Sequence, residues 1–212
     1  MREQRRSMMV MEFFAVLLAM TLFLPGLTKA GQLEPPGPPG PTMHTLDEIY
    51  NLLIEEIGVV PKTGQTNSYA PGDDGDLEMG VSWPSPRFTD NGDNTVTDNL
   101  TRLMWTKNAN LASTPMLWSD AVNYCNNLDF AGRADWRLPN VRELQSLIDY
   151  GRCGPALPSG HPFVNVQSVG YWSATTRADS AASAWGVFMS YGGVYNYGKV
   201  GSNYVWCVRG GN

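Results

Sequence analysis

The residues best suited to binding chemistry lie near the C-terminus, where tyrosine, glycine, serine and asparagine are concentrated in fourteen positions. Tyrosine provides contact area at a low cost in conformational entropy, and the smaller residues adapt their hydrogen bonds to a partner. Tyr195 and Tyr197 would share one face of a strand, because side chains alternate along it. The pattern predicts a binding surface. The alternative is an ordinary pair of aromatic strands with half-buried tyrosines.

Two basic residues, Arg177 before this stretch and Lys199 within it, could contact a ligand near the tyrosines. The predicted ligand-binding set therefore comprises Arg177, Tyr191, Tyr195, Asn196, Tyr197, Lys199, Ser202, Asn203, Tyr204 and Trp206. The expected ligand is an extracellular glycan or a protein.

Residues arranged for catalysis are missing from the sequence. Its two histidines are His44, in a proline-rich segment, and His161, in a loop. A nucleophile elbow, a zinc-binding histidine pair and a phosphate loop are all absent from the sequence. The acidic loop 90–94 lacks the spacing of a calcium-binding EF-hand, which favours a turn. We expect a protein without catalytic activity, cofactor or metal.

Three cysteines, Cys125, Cys153 and Cys207, are too far apart in sequence to form a typical zinc cluster. An odd number leaves two arrangements open: one internal disulfide with a free thiol, or a bond to another chain.

Composition supports a packed core, because 42% of the residues are hydrophobic and 11% are aromatic. The net charge is −5, and from residue 81 onward 10 basic residues face 9 acidic ones. This balance argues against nucleic-acid binding and weakens the case for sulfated sugars, which need a basic patch.

Residues 1–30 are predicted to be a signal peptide. Arg2, Arg5 and Arg6 precede an apolar run over 8–24, and small residues surround a cleavage point near Ala30. A membrane anchor is less favoured, because Glu12 interrupts the run. We expect a secreted or cell-surface protein.

Two predicted segments connect the signal peptide to the domain. Residues 31–44 contain two collagen-type triplets, too few for a stable triple helix, so a stiff Pro/Gly spacer is favoured. Residues 45–58 form a predicted helical neck, with a capping-box pattern at Thr45 and Glu48. Its apolar stripe would pack on the domain or on copies of itself, and the second choice implies a homotrimer.

The pattern over 62–212 predicts an α+β domain with two short helices packed on antiparallel sheets. A hairpin is expected around 90–94, between strands at 87–89 and 95–97. Two apolar stripes predict two helices. The first stripe comprises Leu117, Ala121, Cys125 and Leu128, and the second comprises Val141, Leu144, Leu147 and Ile148. Asn140 and Glu143 predict a capping box. Further strands are expected at 171–176, 184–190 and 204–209.

Several motifs in this region resemble the bacterial Lcl C-terminal domain family, named for a collagen-like adhesin. They are KTGQT (62–66), RFTDNGDNTVTDNLTRLMW (87–105), WSDAVNYCN (118–126), WRLPNVRELQSLID (136–149), LPSGHPF (157–163), YWSATT (171–176) and WCVRGG (206–211). The resemblance implies a C-type-lectin-like fold and ligand binding, in some members to sulfated glycosaminoglycans and often as a trimer.

Further expectations follow from the resemblance alone. In such folds the first helix is often tied to the last strand, which would pair Cys125 with Cys207 and leave Cys153 over. The family resembles targets of diversity-generating retroelements, so a variable protein-binding display module is one alternative function. A purely structural trimeric surface protein is the other.

Overall fold

The computed structural model describes residues 60–210. The predicted signal peptide (1–30), Pro/Gly spacer (31–44) and helical neck (45–58) lie outside the described residues. The described part is α+β, with short helices and two antiparallel sheets, as the sequence predicts.

The first sheet has four short strands in the order β1–β2–β3–β7. Its strands are β1 (Phe88–Asp90), β2 (Thr95–Asp98), β3 (Met104–Thr106) and β7 (Val208–Arg209). The predicted hairpin is confirmed, with Phe88 opposite Asp98. Its turn includes Gly92 and Asn94, both in the left-handed region that a tight hairpin turn uses.

The second sheet has the order β4–β5–β6. Its strands are β4 (Gly170–Arg177), β5 (Ser180–Phe188) and β6 (Gly193–Gly198). Strand β5 begins four residues before the predicted position, because a tight turn at 178–179 lets Ser180 pair with Arg177.

Three short helices are present in the described residues: α1 (Asp74–Leu77), α2 (Trp118–Asn126) and α3 (Val141–Ser146). Both predicted helices therefore form. The capping box of α3 is confirmed, since Asn140 accepts from the Glu143 backbone and Glu143 accepts from the Asn140 backbone. Leu117 does not belong to the buried stripe of α2, because it precedes the helix with an extended backbone and is exposed.

The segment predicted as a strand over 204–209 is extended but is divided between the two sheets. The Tyr204 N–H donates to the Gly170 carbonyl of the second sheet at 3.0 Å. Three residues later, the Thr106 N–H of the first sheet donates to the Cys207 carbonyl at 3.3 Å. Only Val208–Arg209 forms a regular strand. This crossing segment fastens the two sheets to each other.

Aromatic side chains fill the space around this crossing. The Trp206 ring meets Trp105 at 5.6 Å and Phe163 at 4.8 Å between ring centroids. A second buried cluster contains Trp136, Leu138 and Trp172 around α2. The described residues thus have the packed core that the composition indicates.

Candidate functional site

Two exposed tyrosines and a half-buried one at the second sheet form an aromatic surface, which we call the tyrosine face (Tyr191, Tyr195 and Tyr197). Tyr195 and Tyr197 lie on the same face of β6, as predicted, with ring centroids 6.5 Å apart. Tyr191 comes from the β5–β6 turn, and its ring meets that of Tyr195 edge to face at 6.4 Å. Tyr191 is 51% exposed and Tyr195 is 44% exposed, so both rings can contact a ligand.

Glycines beneath the rings hold the tyrosine face in place. A Cβ atom on Gly193 would lie 2.5 Å from Cε2 of Tyr195, and one on Gly186 would lie 3.0 Å from Cε2 of Tyr197. The rings therefore lie directly on the backbone of β5 and β6. Such contact gives large aromatic groups a defined position without a deep pocket.

Hydrogen bonding links the exposed tyrosines to each other. The hydroxyl oxygens of Tyr191 and Tyr195 are 3.2 Å apart. This hydrogen bond raises the pKa of Tyr191 above its ordinary value, and burial raises the pKa of Tyr197. Both shifts favour the neutral phenol, which donates and accepts hydrogen bonds.

Both predicted basic residues are already engaged with the protein. The Lys199 ammonium lies 3.7 Å from the centroid of the Trp118 ring and donates to the Thr176 hydroxyl at 2.8 Å. Arg177 forms an ion pair with Asp179 and donates to the Asn196 amide oxygen at 3.3 Å. Asn196 alternates with Tyr195 and Tyr197 along β6, so Asn196 and Arg177 lie on the opposite face of the sheet.

The remaining predicted ligand residues are distributed around the second sheet. Ser202 is exposed in the turn after β6. Asn203 is half-buried and exchanges backbone hydrogen bonds with Met116, at 3.0 and 3.2 Å. Tyr204 is half-buried and packs against Tyr171 at 5.8 Å.

Trp206 corrects the sequence-based set. It is 1% exposed, and its indole N–H donates to the Thr106 carbonyl at 2.8 Å inside the protein. A ligand on the surface cannot reach it. Trp206 belongs to the core because the crossing segment carries it between the two sheets, a placement that the local sequence does not reveal.

The disulfide suggested by the family resemblance is confirmed. Cys125 on α2 is bonded to Cys207, with Cα atoms 5.5 Å apart and a sequence separation of 82. The bond ties α2, which carries Trp118, to the crossing segment. Cys153 is a free, exposed thiol.

Residues 60–210 contain neither a candidate metal cluster nor a candidate membrane-spanning helix. No group of three or more histidine, cysteine or acidic side chains is placed there to hold a metal ion. None of the helices in this range has the length and apolar character needed to cross a bilayer. In the acidic hairpin loop, Asp90 pairs with Lys107 and Asp93 with Arg133, at 2.6 and 2.9 Å.

A comparison with protein families identifies the domain. The family model of the Lcl C-terminal domain matches residues 94–209, more than half of the chain. The chain belongs to this family. The match includes α2, α3, both cysteines of the disulfide and the whole tyrosine face. Membership indicates a surface or adhesin-type protein. A search of curated proteins found no match.

A second candidate site lies mostly before residue 94, where the match to the Lcl C-terminal domain model begins. This cleft has a volume of about 490 Å³ between the segment 62–67 and the loop 149–152. The KTGQT motif (62–66) forms one wall of this cleft. In the sequence it supported only the family resemblance and predicted no binding site. The available signal was Gly64 between polar residues, since a glycine there permits a close approach of backbone to side chains.

Proposed function

We propose that this Lcl C-terminal domain is a non-catalytic binding module of an adhesin-type protein, and that it binds a neutral glycan on the tyrosine face. The observation that carries the proposal is the pair of exposed rings of Tyr191 and Tyr195, set edge to face with their hydroxyls 3.2 Å apart. Aromatic rings contact the apolar C–H face of a sugar, while phenol hydroxyls bond to its hydroxyl groups.

A neutral glycan fits this surface better than a sulfated one. Sulfate groups need free basic side chains, and their binding weakens as salt screens the charges. Lys199 is held by Trp118 and Thr176, and Arg177 is held by Asp179 on the opposite face. Moving either cation onto a sulfate would cost these existing contacts.

A protein ligand is the second candidate, supported by the composition of the same surface. Exposed tyrosine lies before and within β6 at Tyr191 and Tyr195, and the turn after β6 exposes Val200 and Ser202. Tyrosine mixed with glycine, serine and asparagine is typical of antibody-like binding surfaces. A protein ligand would agree with a face diversified by a retroelement, and a nearby reverse transcriptase and template repeat would support that origin.

The chain's organisation completes the proposal. We infer a C-type-lectin-like domain, supported by the helix-to-C-terminus disulfide and the two antiparallel sheets. It would be exported, cleaved near Ala30, and assembled as a trimer through the neck. N-terminal sequencing of protein from the producing cell tests the cleavage, and a monomeric mass in solution would contradict the trimer.

Glycan-array screening followed by titration of the best neutral sugar tests the proposed binding. Tyr195→Ala should weaken binding about tenfold, which corresponds to about 1.4 kcal/mol. Tyr69→Ala is the matched control, because Tyr69 is 82% exposed and lies outside the tyrosine face. Unchanged affinity in a Tyr191→Ala, Tyr195→Ala double variant would refute the site. Loss of affinity with added salt would instead favour sulfated sugars.

A further inference from the structure

The cleft between 62–67 and 149–152 has walls fixed by hydrogen bonds. The Tyr150 N–H donates to the Thr63 carbonyl at 2.9 Å, and the Trp83 indole N–H donates to the Lys62 carbonyl at 3.0 Å. Its volume of about 490 Å³ falls within the range of about 300–1,000 Å³ typical of small-molecule sites. The cleft shares no residue with the tyrosine face.

Gly64 shows that one wall is closely fitted. Its φ is +89°, a conformation that side chains other than glycine's rarely adopt. A Cβ atom there would lie 2.3 Å from Oδ1 of Asp149 and 2.6 Å from Cη2 of Trp83. Only glycine can therefore bring the backbone between the carboxylate and the indole ring. The contact places Asp149 and Trp83 together in the cleft wall.

The Asp149 side chain is largely buried but lines the cleft, and one of its carboxylate oxygens accepts no hydrogen bond from residues 60–210. The residue is 6% exposed, and the Gly151 N–H donates to its Oδ1 at 2.8 Å. Within residues 60–210, no group donates to Oδ2 and no lysine or arginine forms an ion pair with Asp149. A buried carboxylate costs free energy unless a cation or several donors compensate it. Burial accordingly raises the pKa of Asp149.

Charged neighbours of Asp149 are occupied or exposed. The Arg87 guanidinium binds Asp98 through Nε and Nη2, while its Nη1 is buried without a hydrogen-bond partner, and Arg152 is exposed at the rim. At the far side of the cleft, Lys62 pairs with Glu78 at 3.1 Å. Two carboxylates of the cleft, Asp149 and Asp74, form no ion pair within residues 60–210; Asp74 accepts from the Thr63 hydroxyl, whereas Asp149 has no side-chain donor and is the one placed to meet a cation that a ligand brings.

Uncharged polar side chains provide the rest of the lining. They are hydroxyl and amide groups, which bond to hydroxyls of a ligand as donors and acceptors: Thr63, Gln65, Thr66, Asn67 and Ser82. Trp83 adds an aromatic wall. A cation site beside such groups suits a ligand that carries both an ammonium group and several hydroxyls.

We propose that this cleft binds an amino sugar, with the protonated primary amine of the ligand paired to Asp149 and its hydroxyls bound by the amide and hydroxyl side chains. The binding is non-covalent. The site is distinct from the tyrosine face and does not depend on the function proposed for that surface.

Protein-observed NMR titration at constant ionic strength tests this proposal with four probes. D-glucosamine should bind at least tenfold more tightly than D-glucose, which lacks the amine, and than N-acetyl-D-glucosamine, whose amine is acylated and uncharged. L-lysine carries two ammonium groups and a carboxylate but no sugar hydroxyls, and should also bind at least tenfold more weakly. Equal affinities for glucosamine and glucose would overturn the cation pairing. Equal affinities for glucosamine and lysine would overturn the sugar assignment.

Two variants test whether the ligand's amine binds at Asp149. Asp149→Asn keeps an acceptor for the Gly151 N–H but removes the charge, so the preference for glucosamine over glucose should disappear. Asp120→Asn is the charge-matched control, because Asp120 is an exposed carboxylate on α2, and it should bind glucosamine like the unchanged protein.

Arg152→Gln keeps the test decisive if Asp149→Asn fails to fold. Removing the competing cation near Asp149 should tighten glucosamine binding at least twofold. Weaker or unchanged binding would count against the site. Tyr195→Ala should leave glucosamine binding unchanged, so the cleft and the tyrosine face can succeed or fail independently.

Discussion

The buried ion pair between Arg87 and Asp98 offers a stability test whose magnitude follows from the contacts of the pair. Arg87 Nε and Nη2 donate to the two carboxylate oxygens of Asp98 at 2.8 and 3.1 Å, and Nη2 also donates to the Ser146 carbonyl at 2.7 Å. Both side chains are buried. The pair thus connects the hairpin β1–β2 to the end of α3, immediately before Asp149.

Arg87→Met would leave the Asp98 carboxylate buried and without its cation. Asp98 would keep the Leu100 N–H and the Thr101 hydroxyl, at 2.9 and 2.8 Å, which compensate only part of its charge. Breaking a buried pair in this way costs about 3–5 kcal/mol. For a chain of this size, each kcal/mol lowers Tm by about 2–4 °C, so a loss of about 6–20 °C is expected.

Unfolding in guanidinium chloride, with the disulfide intact, measures the loss in free energy of unfolding. Two further variants are compared in the same way. The double variant Arg87→Met, Asp98→Asn should be more stable than Arg87→Met alone, because it removes the stranded charge. Lys107→Met is the control, since its ion pair with Asp90 is partly exposed and should contribute about 0–1 kcal/mol. A loss below 1 kcal/mol for Arg87→Met, or a double variant no more stable than the single one, would refute the reasoning.

Three further predictions concern the disulfide, the sheet and Asp149. Replacing Cys125 and Cys207 by serine should lower the free energy of unfolding by up to about 4–5 kcal/mol, since the bond closes a loop of 82 residues; equal unfolding midpoints with and without reductant would contradict this. Gly186→Ala should cost about 1–3 kcal/mol, because its Cβ would lie 2.4 Å from a backbone oxygen, and calorimetry would measure it. The raised pKa of Asp149 means that the folded state binds its proton more tightly than the unfolded chain does, so stability falls as pH rises through that pKa. Asp149→Asn should flatten this part of the Tm–pH curve, which begins at the ordinary aspartate pKa of about 3.9 and extends upward from it, and parallel curves would exclude the effect.

Local sequence signals predicted most of the regular elements of the domain. The capping box at Asn140 and Glu143 and the hairpin around Gly92 each depend on neighbouring residues, and both form as predicted. The shared face of Tyr195 and Tyr197 follows from strand alternation alone. The pairing of Cys125 with Cys207 needed the family resemblance, because spacing alone left the pairing open.

Tertiary structure decided which of the predicted side chains are free to meet a ligand. Sequence grouped Trp206 with the tyrosines, but the crossing between the sheets buries it. It treated Lys199 and Arg177 as available cations, but partners from α2, β4 and the β4–β5 turn engage them. The cleft at Asp149 joins segments more than eighty residues apart. Alternation and capping are determined by near neighbours, whereas burial and charge pairing depend on contacts between distant segments, which only folding creates.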